Sequence, residues 1–234
     1  RAAPFAAGLA AGAVAIVSPA LAESAVSRRP DIAGLSQERL AKLAGVLRVD
    51  VGEGRIPGAV VLVARHGQVA LFEAIGFRDR ALNAPMGTDA IFRLYSMTKP
   101  IVSVAAMMLV EEGKLLLSDP VSKHLPELKG LKVGIEKTDA DGKPALELVP
   151  AQREMTVRDL LRHTSGITYG IFGRSLVKQA YIGAKTLDGG QTGGEFVAKL
   201  AKLPLAFQPG TTWDYSQSTD LLGVLVERIA GKPL

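Results

Sequence analysis

The chain has 234 residues, 47% of them apolar and 22% charged, enough to bury a sizeable core in one large domain or two smaller ones. Its formal charge of +5 is mild, and Lys and Arg alternate with Asp and Glu; with no basic stripe and no aromatic ladder, nucleic-acid binding is set aside. There are no cysteines, which excludes disulfides and thiolate metal sites.

Residues 1–22 differ in kind from the rest. Arg1 precedes an alanine-rich apolar run at 5–17, followed by Ser18-Pro19-Ala20-Leu21-Ala22. A short apolar core ending in a small-x-small site is the design of a signal peptide, here cut after Ala22. A spanning helix needs roughly 20 apolar residues, and Pro4 and Pro19 bracket this run. The expectation is a periplasmic or secreted protein with no stable membrane span after cleavage.

Ser36 then caps a helix with Leu40, Leu43 and Leu47 at helical spacing, ending near Gly52. Residues 59–64 and 69–75 read as two apolar strands joined at His66-Gly67-Gln68, a hairpin by composition. Residues 77–90 read as loop, and 91–94 as an extended entry to Ser96. The run from Ile101 to Val110 reads as a helix apolar all round, with Val102, Val104, Ala105, Met108 and Leu109 covering its circumference, and so fully buried. Gly113 is its expected C-cap.

Ser118-Asp119-Pro120 opens a short helix that Pro126 closes. Strands at 131–135 and 145–149 flank the Asp141-Gly142 turn. Thr156 with Asp159 forms a capping box for a helix running through His163. Residues 166–194 read as one long loop. A short helix at 196–203, the Pro209-Gly210 turn, and an amphipathic helix carrying Leu221, Leu222, Leu225 and Ile229 to Gly231 complete the chain. It reads as the front part of a longer protein.

Ser96 and Lys99 carry the chemistry. Residues three apart on a helix stand on one face, so the hydroxyl and the amine meet at the helix start. A serine needs a base to become a nucleophile. Burial lowers the pKa of a lysine, and the helix N-terminus acts in the same direction; Lys99 is thus expected as base or proton relay. Tyr215, just before a helix, could ionise beside an ammonium and serve as general base or acid. A second Ser-x-x-Lys, at Ser175 and Lys178, lies in the glycine-bearing loop region and is read as a chance match. His163 fits a Ser-His pair poorly, and Trp213 and Asp214 are read as shaping their turn. No Gly-x-Ser-x-Gly elbow is present.

The segments Tyr-Ser-Met-Thr-Lys-Pro (95–100), Val-Glu-Glu-Gly-Lys-Leu (110–115), Leu-Ser-Asp-Pro-Val-Ser-Lys-His-Leu-Pro-Glu-Leu (117–128), Leu-Leu-Arg-His-Thr-Ser-Gly-Ile (160–167) and Phe-Gln-Pro-Gly-Thr-Thr-Trp-Asp-Tyr-Ser (207–216) occur in that order. From about residue 35 onward the chain resembles the β-lactamase-related serine hydrolases, which include class C β-lactamases, family VIII carboxylesterases and D-alanyl-D-alanine peptidases. The resemblance implies an α/β (α+β) fold of the β-lactamase/transpeptidase type, an antiparallel sheet domain plus a helical domain, here without its C-terminal strands. Residues 23–95 would form the N-terminal part of the α/β domain. Residues 96–234 would form a mainly helical domain carrying the first two motifs.

It also implies acylation and deacylation of Ser96 with Lys99 and Tyr215 as partners, without a metal or organic cofactor, on a small-molecule ester, amide or β-lactam. Gln217 stands where β-lactamases usually place a substrate-contacting asparagine, which leans the expectation toward an esterase. A β-lactamase or D-alanyl-D-alanine peptidase is the alternative within the family. A non-catalytic binder of peptidoglycan or another acyl-peptide is the alternative outside enzymes, since the third motif, Lys-Thr-Gly or a His/Trp-x-Gly variant, is not in this sequence.

Overall fold

The computed structural model describes residues 34–234; the expected signal peptide lies outside the described residues. Two compact units divide the chain, one ending at Arg93 and the other spanning Leu94–Leu234. Among the described residues no helix is long and apolar enough to cross a membrane.

The first unit opens with α1 (Gln37–Gly52), whose N-cap Ser36 accepts from the Arg39 N–H as its position predicts. Strands β1 (Gly58–Arg65) and β2 (Gln68–Asp79) pair antiparallel through a two-residue turn. Both turn residues, His66 and Gly67, have positive φ, the conformation a tight hairpin of this hand requires. Part of the expected 77–90 loop is strand instead: β2 runs on to Asp79 and pairs with a short β3 (Ala84–Pro85). The unit's core is small, with Ala44 and Val51 of α1 packed on Ile75 of β2.

The second unit is built around α2 (Thr98–Glu111) and α6 (Ser218–Ala230), which pack on each other. The expected extended entry is not a strand, and Leu94 is already in the right-handed helical region. Val102, Ala106 and Leu109 recur at i, i+4 and i+7 and join Leu221, Leu222, Leu225 and Val226 in one core. The expectation of a helix buried all round is corrected. Val104 is 61% exposed, and Ile101 and Met108 beside it are open too, because α6 covers one stripe of the helix only. Glu112 and a left-handed Gly113 end α2 as expected.

Strands β4 (Lys132–Thr138) and β5 (Pro144–Pro150) form the second hairpin. The segment before it is not an α-helix but two 3-10 turns, Val121–Lys123 and Pro126–Leu128; Pro126 opens the second turn instead of closing a helix. The capping box at Thr156 and Asp159 is present, but its helix α3 (Val157–Leu161) stops short of His163, which adopts φ +55°. The expected 166–194 loop contains α4 (Leu176–Gly183), and α5 (Gly193–Leu200) begins near its end. Thr192 and Glu195 form a second capping box there that the sequence reading did not use.

Candidate active site

The site lies within the second unit. A 3-10 turn, Tyr95–Met97, leads directly into α2. Tyr95 sits at φ +47°, a strained conformation for a bulky residue, and the turn lifts Ser96 to the surface ahead of the helix. One turn later Lys99 follows on the same face, its Nζ 3.5 Å from Ser96 Oγ. Pro100 is tolerated beside them because its missing N–H falls in the first helical turn.

Two loop segments bring the other groups. Residues 163–169 and 206–214 are tied by three backbone hydrogen bonds: Ala206 N–H to Gly166 O (2.7 Å), Gly210 N–H to Thr164 O (2.7 Å) and Asp214 N–H to His163 O (3.0 Å). Gly166 permits this approach. Its φ is +89°, and a Cβ there would fall 2.6 Å from the Phe207 carbonyl oxygen. The Thr168 hydroxyl donates to Asp214 Oδ2 at 2.7 Å, and Lys178 pairs with the same carboxylate. Asp214 thus braces its turn, as expected. The two segments hold out Tyr169 and Tyr215.

The Tyr215 hydroxyl lies 2.5 Å from Ser96 Oγ, and Lys99 Nζ stands 4.9 Å from the centre of the Tyr215 ring. Hydroxyl, amine and phenol from three places in the sequence therefore share one site. Their charges divide differently from the expectation of a neutral lysine. Burial acts to lower the Lys99 pKa, but the Tyr215 and Tyr169 hydroxyls and the Asp220 carboxylate outweigh it and hold it above the usual value. Tyr215 is pushed below the ordinary phenol value, first by its hydrogen bond with Ser96 and then, against burial, by the Lys99 ammonium. The group poised to give up its proton is the phenol.

Sequence reasoning missed Tyr169 and Asp220. The buried Tyr169 hydroxyl accepts from Lys99 Nζ at 3.4 Å and donates to Asp220 Oδ2 at 3.4 Å. The only signal was position: Tyr169 falls two residues after the Leu-Leu-Arg-His-Thr-Ser-Gly-Ile segment, and Asp220 in the first turn of α6.

Gln217 is not with the others. It is 2% exposed, and its side-chain Nε2 donates to the Thr186 carbonyl at 3.0 Å while Oε1 has no partner among the described residues. Gln217, expected at a substrate contact, therefore presents a buried side chain here. His163 presents Nδ1 to the Ser216 N–H and hydroxyl, 3.3 and 3.2 Å away, and its ring lies 4.9 Å from that of Tyr215. It supports the phenol from behind. Trp213 and Phe172 add exposed rings beside Tyr215, at 6.5 and 6.2 Å. The second Ser-x-x-Lys is a helix cap: Ser175 Oγ accepts from the Lys178 N–H at the start of α4, so a helix does stand behind it, contrary to the loop reading.

Comparison with known proteins agrees with this architecture. The profile of the Beta-lactamase family matches residues 37–234. Protein Rv1367c of Mycobacterium tuberculosis is 42% identical over 181 residues, which is 77% of this chain and 43% of the relative. Esterase EstB of Burkholderia gladioli is 37% identical over 201 residues, 83% of this chain and 46% of its own. The solved structure described as EstCE1, a hydrolase with promiscuous acyltransferase activity, superposes with a TM-score of 0.69 at 35% identity, covering 84% of this chain and 48% of that one. The chain thus spans a little under half the length of these relatives.

Proposed function

The chain belongs to the β-lactamase family, and on that premise we propose that it forms part of an esterase-like serine hydrolase, as its relatives' names suggest, that cleaves a small-molecule ester through an acyl-Ser96 intermediate. The observation that carries the reading is the meeting of Ser96 Oγ with the Tyr215 hydroxyl beside the Lys99 amine.

In this mechanism Tyr215, as phenolate, takes the Ser96 proton while Oγ attacks the substrate carbonyl carbon. The Ser96 backbone N–H supplies one donor to the oxyanion. Collapse breaks the bond to the leaving alkoxide, which takes its proton back from Tyr215. A water then repeats the sequence on the acyl-enzyme: Tyr215 removes its proton, and Ser96 leaves reprotonated. The Lys99 ammonium stays charged throughout and stabilises each anionic stage.

The buried side chain of Gln217 supports an ester over a β-lactam or peptide, because the carboxamide that would meet a substrate amide is already bonded to Thr186. The residue 1–22 pattern supports an exported, periplasmic or secreted enzyme. A fluorophosphonate probe tests the nucleophile: it labels the intact protein at Ser96 and fails on Ser96→Ala, and labelling that survives the substitution refutes the reading. Rates on a short-chain nitrophenyl ester and on a chromogenic cephalosporin test the substrate class. Faster turnover of the cephalosporin contradicts the ester preference.

A further inference from the structure

The proposed mechanism uses three groups, yet two further charged or ionisable groups reach into the same site and do not touch Ser96. Asp220 projects from the first turn of α6 and receives the Tyr169 hydroxyl at 3.4 Å; the same hydroxyl receives Lys99 Nζ at 3.4 Å. A phenol has one proton to give and lone pairs to accept with, so Tyr169 can hold both partners at once. The result is a chain of three groups, ammonium to phenol to carboxylate, running away from the nucleophile. We infer that Asp220 is a positioning residue that anchors the Lys99 ammonium through Tyr169 and, by its own charge, sets the pH at which the Ser96–Lys99–Tyr215 cluster loses its first proton. The inference rests on the proposed role of that cluster in acyl transfer.

The sign of the effect follows from charge alone. The cluster begins as phenol plus ammonium. Whichever of the two loses a proton first, the site becomes more negative by one charge, and a carboxylate close by opposes that loss. Asp220 raises Tyr215 and Lys99 alike. Other groups facing the cluster do not cancel it. His163 is held below its usual value by burial and by Lys99, so it is neutral when Tyr215 ionises. Tyr169 is raised by burial and by Asp220, so it stays a neutral bridge. Asp214, on the loop that carries Tyr215, is occupied by Lys178 and the Thr168 hydroxyl. Asp220 thereby restrains the base from ionising too readily and fixes the lysine's place. A base that is too acidic is a poor proton acceptor, so the restraint preserves driving force.

Ultraviolet titration of tyrosinate in the intact protein tests the inference without needing turnover. The wild type shows one early-ionising tyrosine that disappears in Tyr215→Phe. Asp220→Asn, a shape-preserving change at an exposed position, moves that ionisation to lower pH by roughly half a unit, and Asp220→Glu restores it. Tyr169→Phe leaves the carboxylate in place but cuts the bridge, so the early ionisation remains while ester kcat falls several-fold with KM little changed. An unmoved or upward-shifted titration in Asp220→Asn overturns the inference. A failure of Ser96 to react with the fluorophosphonate would instead overturn the hydrolase reading and leave this titration result standing on its own.

Discussion

In the proposed mechanism, Tyr215 is the residue whose protonation decides when Ser96 can attack. Its hydrogen bond with Ser96 and the nearby ammonium depress it, while Lys99 is raised. The active form in that mechanism is phenolate plus ammonium. Ester hydrolysis should therefore rise as pH climbs through the depressed Tyr215 value and fall only where the raised Lys99 loses its proton. A pH–rate profile checks this, and in Tyr215→Phe the acid limb vanishes together with a 10²–10⁴-fold loss of kcat, roughly the worth of a positioned general base. The pairing of Ser96 with Lys99 was legible from spacing alone. The charge state was not, because burial argues for a neutral amine and only the placement of two phenols and a distant carboxylate reverses the sign. The burial of Gln217 was not legible for a related reason: sequence gives its place in a motif but not the Thr186 carbonyl that accepts from its Nε2.

At the scale of elements, the site depends on how residues 163–169 are fixed behind α3. Asp159 accepts from both Arg153 Nη atoms, from the Thr156 N–H and hydroxyl, and from the Thr164 hydroxyl. The Thr164 carbonyl in turn receives Gly210 on the Tyr215 segment. These bonds outweigh burial and hold the Asp159 carboxyl down at about 2, below its ordinary value of 3.8. A depressed carboxylate stabilises the fold above its unfolded pKa and loses that contribution as pH falls through the folded one. Acid titration between about pH 4 and 2 should accordingly remove roughly 1–2 kcal/mol, and Asp159→Asn should flatten that part of the stability curve in denaturant melts. Gly166→Ala meets the Phe207 carbonyl at a left-handed position. It should lower ester kcat by displacing Tyr169 and Tyr215 while leaving Ser96 on its 3-10 turn and Lys99 on α2, a difference that probe labelling rates will show.

The capping box and both hairpins were readable because each is written in neighbouring residues. Helix α4 was not: its glycine-bearing surroundings hid a helix whose Val177 and Tyr181 are both buried. Long-range partners fixed it, and periodicity over eight residues is too short a signal.

For the molecule as a whole, the fold class followed from five motifs in order, and the family match over residues 37–234 agrees with it. What order alone did not convey was how much of α2 is covered. Leu222 of α6 is fully buried in the larger core, and Leu222→Ala should cost about 2–5 kcal/mol in chemical denaturation. Val104→Gln on the open face should cost far less, since Val104 is already exposed.

The most direct measurement is the mass of the intact protein quenched during turnover of a slowly hydrolysed ester, followed by peptide mapping. The protein should gain the mass of the acyl group, carried on the peptide containing Ser96, and the gain should be absent in Ser96→Ala and sharply slowed in Tyr215→Phe. Ester turnover with no acyl adduct, or an adduct on any other residue, would contradict the account.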